Sequence, residues 1–327
     1  MKWMRSGRLI FLVFLIWNTA SWAVEPPVSG RPVTVDGILP ADSMARLIRL
    51  ESELQLIRLE MGIPQPAAFP VSVTQVAPRE VYYASLSLIE IVDKLADEQL
   101  QIVLDRELER ISALELQPYH VFTNTSKALD QVLAIKADMG ITEEVLERPV
   151  SDDTQPVEVM EQLLSTAHLA SSLLGSRFSP SEVYQRITSA INTMAQILAT
   201  FPTVERIPAA PAYERRKRPY DVLTRLLSIS QSLFEIAQSS DEQVLKLELS
   251  TVAASGISPK DVFIIAGLLI ADINYLYDMR AGTLPVQPAY YPGVKLPAHV
   301  YQRLGILEAQ LALLHEQIKQ SPNWLDR

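Results

Sequence analysis

Apolar residues recur along this chain at intervals of three and four positions, with polar residues between them. One such stretch runs from Val183 through Ile187 and Ile191 to Leu198. Residues at this spacing lie on one face of an α-helix, so each stretch predicts a helix with an apolar face. The one alternating, strand-like run, at 71–76, lies in a proline-rich segment that we assign to a loop. The pattern predicts an all-α protein.

Seven of the predicted helices begin with the same short phrase, a proline followed three residues later by valine and then by a large apolar residue. The copies begin at Pro78, Pro118, Pro156, Pro180, Pro219, Pro259 and Pro297. Proline suits the first turn of a helix, because its missing N–H would be unpaired there and its φ is already helical. Each copy therefore predicts the first residue of a helix.

The third helical position of each copy carries a polar side chain that can accept a hydrogen bond from the N-cap. Most copies place an acid there, such as Glu80, Glu158 or Glu182, and a carboxylate is favoured at this end of a helix. His120 and His299 take the position in two copies. We interpret them as polar substitutes for the acid, against the alternative of a ligand pair or a pH sensor.

The spacing of the phrase predicts a second level of repetition. Successive copies lie 40, 38, 24, 39, 40 and 38 residues apart, and long loops follow every second copy. The predicted units are 78–155, 156–218 and 219–296, with a closing half unit at 297–327. Such periodicity is typical of stacked helical hairpins, so we predict an α-solenoid-like array. A repeat-built helical bundle is the alternative.

Residues 62–327 form the predicted helical repeat domain, and a shorter region precedes it. Prolines at positions 26, 27 and 32 predict an extended segment from residue 24. A first helix is predicted at 41–61, where apolar residues share one face. That face is expected to pack on the body of the protein.

The N-terminus has the pattern of an export signal. Basic residues at positions 2, 5 and 8 precede an apolar run at 9–17, and Ser21-Trp22-Ala23 matches a cleavage site. We predict cleavage after Ala23, with an uncleaved anchor as the alternative. The chain contains no cysteine, which excludes a disulfide-stabilised secreted domain and thiolate chemistry. Together these features predict a periplasmic protein of the Gram-negative type.

A second apolar stretch lies at 262–271. It has about half the length of a membrane span, and it is followed at once by Asp272. We therefore predict a helix that is buried on most sides, and not a transmembrane segment.

The chain is acidic, with a net charge of −9 that becomes −12 when the three basic residues of the signal are removed. This charge argues against general binding to nucleic acids or to anionic membranes. One basic cluster interrupts it at 215–218. We interpret the cluster chiefly as a solvated loop, and we keep Arg215, Arg216 and Arg218 as candidates for contact with a partner.

The sequence carries no recognisable catalytic or metal-binding motif. None of the four histidines has another histidine or an acid three or four residues away, which excludes the local zinc-protease pattern. Nucleotide-binding glycine loops and the Gly-x-Ser-x-Gly pattern are absent too. We therefore predict no catalytic, cofactor or metal site. The alternative, an enzyme with a dispersed acid site, requires an acidic pair with a raised pKa in a cleft.

Tyrosines are the remaining candidates for recognition. Tyr119 and Tyr220 lie beside the phrase, and Tyr213, Tyr290 and Tyr291 lie in proline-rich loops. A tyrosine ring packs on a partner while its hydroxyl makes a hydrogen bond, so exposed tyrosines bind peptides and proteins well. The aromatic residues of the phrase are instead predicted to be core residues: Tyr82, Phe122, Tyr184, Phe263 and Tyr301.

From these observations we predict a non-enzymatic scaffold or interaction module that holds a protein or peptide partner. The alternative is a small-molecule or lipid carrier with a pocket between its helices, lined by the methionines at positions 139, 160, 194 and 279. An enclosed cavity between the helices would favour the carrier, whereas closed helix faces would favour the scaffold.

Overall fold

The computed structural model describes residues 37–101, 111–175, 178–249, 257–282, 284–321 and 324–325. The predicted all-α class is confirmed, since 63% of the described residues are helical and 3% are in strands. The described helices are α1 (Pro40–Glu60), α2 (Pro78–Leu100), α3 (Pro118–Asp138), α4 (Pro156–Leu173), α5 (Pro180–Leu198), α6 (Pro219–Gln238), α7 (Pro259–Arg280) and α8 (Pro297–Gln320). The predicted signal at 1–23 and the extended segment at 24–36 lie outside the described residues.

Each of these eight helices begins at a proline, as the phrase predicts. The residue before the proline is extended, and its N–H donates a hydrogen bond to the third helical side chain. In α5 the Ser179 N–H donates to Glu182 Oε2 at 2.8 Å. The Nδ1 atoms of His120 in α3 and His299 in α8 accept the same bond at 3.0 Å. Both histidines therefore replace the acid in its capping role.

Pro40 is a copy of the phrase that the sequence analysis missed. Ser43 stands where the other copies carry valine, so the valine pattern does not detect this copy. The predicted start of the first helix, at residue 41, therefore falls one residue late. Pro40 precedes Pro78 by 38 residues, a spacing that also separates Pro118 from Pro156 and Pro259 from Pro297.

The helices form two rings, each made of four parallel helices. The prolines that begin α1 to α4 line one small pocket, and those that begin α5 to α8 line another, so each set starts from a common point. In the first ring, contacts run from α1 to α3, α2, α4 and back to α1. In the second ring, they run from α5 to α7, α6, α8 and back to α5. The long loops return the chain to the starting end of each ring.

A continuous hydrophobic core runs through both rings. Its fully buried members include Leu50, Leu88, Leu163, Ile187, Leu226 and Leu304. The aromatic residues that were predicted to be core residues follow this prediction in part. Tyr82, Phe122 and Phe263 are buried, whereas Tyr184 and Tyr301 are half-buried.

Parallel packing produces one recurring contact, between the sixth residue after the proline of a helix and the fourth residue after the proline of its neighbour. The arginine–aromatic pairs of this kind are Arg46 on Phe122, Arg186 on Phe263, Arg225 on Tyr301 and Arg303 on Tyr184. When two parallel helices begin at the same height, the residue six positions after the proline of one helix faces the other helix. It lies opposite the gap between the residues four and eight positions after that helix's proline. A cation lying over a ring fills that gap.

Helices α2 and α7 join the two rings, and the helices of one ring run in the opposite direction to those of the other. Near the start of α2, Tyr83 Oη accepts a hydrogen bond from Asn274 Nδ2 at 3.2 Å. Near the end of α2, the Lys94 ammonium lies 5.7 Å from the ring centroid of Phe263, which is near the start of α7. The two helices are therefore antiparallel. The short linker 174–179 connects the rings between α4 and α5.

These contacts group the helices differently from the predicted hairpin units. The described contacts close within α1 to α4 and within α5 to α8, whereas the predicted units begin at residues 78, 156 and 219. The unit boundaries and the α-solenoid-like array stay predictions.

Helix α7 is buried on most sides, as predicted for 262–271. Among the described helices it is the one that is long and apolar enough to cross a membrane, and 72% of its most apolar window is buried inside the protein. It packs on α5 and α6 in its own ring and on α2 and α4 of the first ring. Burial against four neighbours is typical of a core helix.

The structure corrects the assignment of residues 71–76 to a loop. Val71–Thr74 form strand β1, which pairs antiparallel with β2 (Lys246–Leu249). Residues along β1 are alternately buried and exposed, so its alternation was a true strand signal. The partner strand comes from the loop after α6, more than 170 residues away. Local sequence therefore shows the alternation but not the pairing that makes it a strand.

Candidate functional site

A groove of about 670 Å³ lies where the two rings meet. Helices α2, α5 and α7 form its walls, and the loop 281–296 forms part of its rim. The side chains that determine its chemistry are Tyr83, Glu90, Lys94, Glu182, Arg186 and Phe263. We call this site the junction groove.

Arg186 and Phe263 form one wall of the junction groove. The Arg186 guanidinium carbon lies 3.6 Å from the Phe263 ring centroid. Its Nη1 donates to Ser87 Oγ at 3.0 Å and to the Phe263 carbonyl at 3.2 Å, and its Nη2 donates to the Glu90 carboxylate. One arginine therefore connects α5 to both α7 and α2, and so holds the two rings together at the groove.

Gly267 makes room for this arginine. A Cβ atom at position 267 would lie 2.5 Å from Arg186 Nη1 and 2.6 Å from Ser87 Oγ. We expect Gly267→Ala to lower the free energy of unfolding by about 1–3 kcal/mol through overpacking, although alanine is the better helix former. Urea unfolding followed by circular dichroism measures the difference.

Gly175→Ala is the matched control for this prediction. The nearest atom to a Cβ at position 175 is Glu98 Oε1 at 3.9 Å, which is an ordinary contact. This variant is expected to unfold at the same urea concentration as the natural protein. Equal stability of the Gly267 and Gly175 variants would show that Arg186 is not held in place as described.

Lys94 is the second cation of the junction groove. Its ammonium pairs with Glu182 and lies 5.1 Å from the Phe178 ring centroid. Burial lowers the pKa of Lys94, and the Arg186 guanidinium lowers it further, whereas Glu90 opposes the shift. Glu182 also caps α5: its Oε1 pairs with Lys94, while its Oε2 accepts the N-cap hydrogen bond.

The rim of the groove carries exposed apolar side chains on a loop that is fastened along α5. Gln185 Nε2 donates to the Ala289 carbonyl at 2.7 Å, and Asn192 Nδ2 donates to the Gln287 carbonyl at 2.8 Å. The side chains of Tyr290 and Tyr291 are 80% and 61% exposed. Val294 and Leu296, farther along the same loop, are exposed as well.

The structure places two of the predicted partner-binding residues, Tyr290 and Tyr291, beside the groove, and Tyr291 lines it. Tyr119 is the second residue of α3 in the first ring. Since the rings run in opposite directions, it lies at the other end of the molecule from the α6 and α8 starts, which adjoin Tyr213.

The remaining predicted candidates precede α6. Tyr213 lies against the His299 ring with a centroid distance of 5.1 Å, and Tyr220 is half-buried. Arg215, Arg216 and Arg218 are exposed on the loop between them. These residues form a second surface, and their role in partner binding stays a prediction.

No pattern in the sequence predicts Lys94, Arg186 and Phe263 as groove residues. They come from three helices, and no local pattern relates α2 to α5 or α7. One signal was available, because a glycine inside an apolar helix, such as Gly267, indicates a close approach by another group.

His168 and Asp261 have the spacing of two members of a catalytic triad, but among the described residues no hydroxyl makes a hydrogen bond to the imidazole. His168 Nδ1 lies 3.0 Å from Asp261 Oδ1, and its Nε2 lies 3.0 Å from the Ala67 carbonyl. The Ser258 hydroxyl donates to Asp261 and not to the imidazole. Both ring nitrogens are engaged with oxygens, so His168 fastens the loop after α1 to the start of α7.

The acidic pair with raised pKa that an enzyme would require is present, but it is buried. Glu80 and Asp272 are 0% and 1% exposed. Burial raises the pKa of Asp272 well above its ordinary value, and the adjacent Glu80 carboxylate adds to the shift. Burial also raises the pKa of Glu80, opposed by the Arg79 guanidinium. Without access to substrate, the pair joins α2 to α7 and does not form a cleft site.

Arg79 extends this buried cluster toward the surface. Its guanidinium carbon lies 3.8 Å from the Tyr275 ring centroid, and the Tyr275 hydroxyl donates to Glu242. Burial, together with this bond to the Glu242 carboxylate, raises the pKa of Tyr275 to about 12. Within the described part of the chain, no group of three or more metal-ligating side chains is arranged to hold a metal ion.

Fold and groove together define an all-α protein with a mixed polar and aromatic groove between two four-helix rings. No protein-family model matches the chain, and no curated protein or solved structure shows significant similarity to it.

Proposed function

We propose that this is an exported, periplasmic, non-enzymatic interaction protein that holds an extended segment of a partner protein in the junction groove. The observation that carries the proposal is the row of exposed apolar side chains at the groove rim, led by Tyr290 and Tyr291. Exposed apolar patches beside a groove are typical of interaction sites. Tyrosines are enriched among the residues that contribute most to binding.

The rim is suited to binding because its backbone is already fastened to α5. The bonds from Gln185 and Asn192 are joined by one from the Lys295 N–H to Ser181 Oγ, at 2.9 Å. A loop that is held in place before binding loses little conformational freedom when the partner arrives. The groove walls add mixed charges that would select the register of the bound segment.

We also propose that the chain is a repeat-built helical bundle, the alternative to the stacked array. Its unit would be one helix with its returning loop, since successive prolines within each ring lie 38 to 40 residues apart. The matching order of contacts in the two rings supports this proposal. The 24-residue gap between Pro156 and Pro180 would then be the place where one returning loop is missing.

A small-molecule carrier is the second candidate, because the groove volume falls within the range of ligand pockets. The lining of charged and aromatic side chains favours a polar ligand over a lipid. Two of the methionines that the carrier hypothesis placed in a pocket, Met160 and Met194, are instead fully buried in the core.

Photocrosslinking tests the interaction proposal. Benzoylphenylalanine at position 291, in cells that make the protein, is expected to give a discrete adduct with one partner protein. The matched control is the same residue at position 146, because Leu146 is also an exposed apolar side chain but lies on a loop of the first ring. No adduct at 291, or the same adducts at both positions, would contradict the proposal.

Native mass spectrometry of the purified protein separates the two candidates. A small added mass that is lost on denaturation supports the carrier, and a second protein chain supports the interaction protein. The mass of the chain itself tests cleavage after Ala23.

A further inference from the structure

We propose that the junction groove binds a carboxylate of its partner between Lys94 and Arg186, in place of the Glu90 carboxylate. This inference rests on the proposed function and names the chemistry of the partner. The carboxylate could come from an acidic side chain or from the C-terminus of the partner chain.

The position of the two cations is the first support. The Arg186 guanidinium carbon lies 3.6 Å from the Phe263 ring centroid, and the Lys94 ammonium lies 5.7 Å from the same centroid. Both side chains line the groove. The Glu90 carboxylate pairs with Arg186 and raises the pKa of Lys94, so a carboxylate at its position acts on both cations. Arginine binds a carboxylate through paired N–H donors.

The unequal exposure of the existing ion pair is the second support. The Glu90 side chain is 45% exposed, whereas that of Arg186 is 14% exposed. Ion pairs that reach the surface contribute little to stability, so Glu90 can turn into solvent at small cost. A ligand carboxylate that enters the groove would then occupy the position that Glu90 leaves on Arg186.

The environment of the Lys94 ammonium, which pairs with the same Glu182 carboxylate that caps α5, is the third support. Burial and the Arg186 guanidinium both lower the pKa of Lys94, so the ammonium is less stable in the groove than in water. The start of α5 adds the positive end of a helix dipole at Ser179, which also lines the groove. A bound anion would offset the burial of Lys94, its repulsion by Arg186 and the positive end of the helix.

The overall negative charge of the protein does not prevent this contact. Charges farther than about 8 Å away are largely screened at physiological ionic strength. The local cations therefore determine what the groove binds, while the acidic surface disfavours partners that are acidic along their whole length.

Small probes test the inference on the full mature chain. N-acetyl-alanine presents a main-chain carboxylate, the α-amide of N-acetyl-glutamate presents a side-chain carboxylate, and the α-amide of N-acetyl-glutamine is the neutral control. Each is titrated while amide shifts of groove residues such as Ser87 and Gln185 are followed by NMR. We expect binding of at least one carboxylate probe, and its identity distinguishes the two sources.

Two variants make the test specific. Glu90→Gln removes the competing carboxylate and is expected to tighten probe binding by about threefold or more. Lys94→Gln is expected to weaken it roughly tenfold, through loss of one charge-assisted contact. Glu308→Gln is the matched control, because Glu308 pairs with the Arg225 that lies over Tyr301, and it should leave the junction groove unchanged.

The outcomes separate this inference from the proposed function. Equal binding of neutral and carboxylate probes, or no gain in Glu90→Gln, would overturn the carboxylate site. If the adduct at position 291 still forms in that case, the interaction proposal stands without it. If the probes bind as expected but position 291 gives no adduct, the carboxylate site stands and the protein-partner proposal fails.

Discussion

Arg46→Met is expected to lower the free energy of unfolding by about 3–5 kcal/mol, because it removes the guanidinium from a buried ion pair. Arg46 and Glu147 are both almost fully buried, with Nε 2.8 Å from Oε2. The guanidinium carbon also lies 4.9 Å from the Phe122 ring centroid. Arg46 therefore fastens the loop after α3 to the inside of the first ring. Urea unfolding followed by circular dichroism measures the loss.

A double variant shows whether the loss comes from the charge. Arg46→Met combined with Glu147→Gln is expected to recover a large part of the stability, since a neutral amide replaces the buried carboxylate. Lys319→Met removes a solvent-exposed pair with Glu316 and should have no measurable effect. An Arg46 variant as stable as Lys319→Met would contradict the buried pair.

In the same urea unfolding experiment, the fluorescence of Trp324 reports on the second ring, while circular dichroism reports on both rings. Trp324 is the only tryptophan outside the predicted signal. It is buried beside the second ring, where its Nε1 donates to Ser240 Oγ at 2.7 Å. If the rings unfold as one unit, Arg46→Met shifts the fluorescence and circular dichroism transitions together.

Asp272→Asn is expected to remove a fall in stability that the natural protein shows as pH rises. The raised pKa of Asp272 means that the folded protein holds a proton that the unfolded chain releases above about pH 4. From there up to the pKa in the folded protein, the free energy of unfolding decreases by up to about 1.4 kcal/mol per pH unit. Asparagine cannot ionise, so at about pH 8 the variant should be more stable by about 1–3 kcal/mol.

Urea unfolding at several values between about pH 5 and pH 8 measures this slope. Asparagine keeps an oxygen that can accept the backbone hydrogen bond associated with Leu245, so the local geometry is preserved. Glu316→Gln, at a fully exposed acid on the surface, is the control and should leave the slope unchanged. An Asp272→Asn slope equal to that of the natural protein would mean that the pair does not hold the proton.

Several features of this fold were predictable because short-range chemistry determines them. A proline and a polar residue two positions later define a helix start through bonds within one turn, as Ser179 and Glu182 illustrate. His120 could be assigned to capping for the same reason. Pro40 was missed only because Ser43 replaced the valine used as a marker. Exposure of Tyr290 and Tyr291 also followed from their position in a proline-rich loop.

The groove could not be predicted in the same way, because its residues are far apart in sequence. Arg186 contacts Ser87 across 99 residues and the Phe263 carbonyl across 77. The second separation follows from two repeats of the phrase and the recurring contact within a ring, whereas the first joins the two rings and matches no repeat. The acidic pair of Glu80 and Asp272 could not be predicted for the same reason. The sequence identifies Glu80 only as a capping acid, and its contact with Asp272 depends on how α7 packs on α2.

From the amino-acid order alone follow the all-α class, the starts of seven helices and the apolar faces that must be buried, since each depends on residues within a few positions. Tertiary packing decided which helices are neighbours, that α2 and α7 run antiparallel, and that Lys94, Arg186 and Phe263 share one groove. The physical reason is that every apolar face can be buried against several partners. The choice among them depends on how side chains such as Arg186 and gaps such as that at Gly267 fit together in three dimensions.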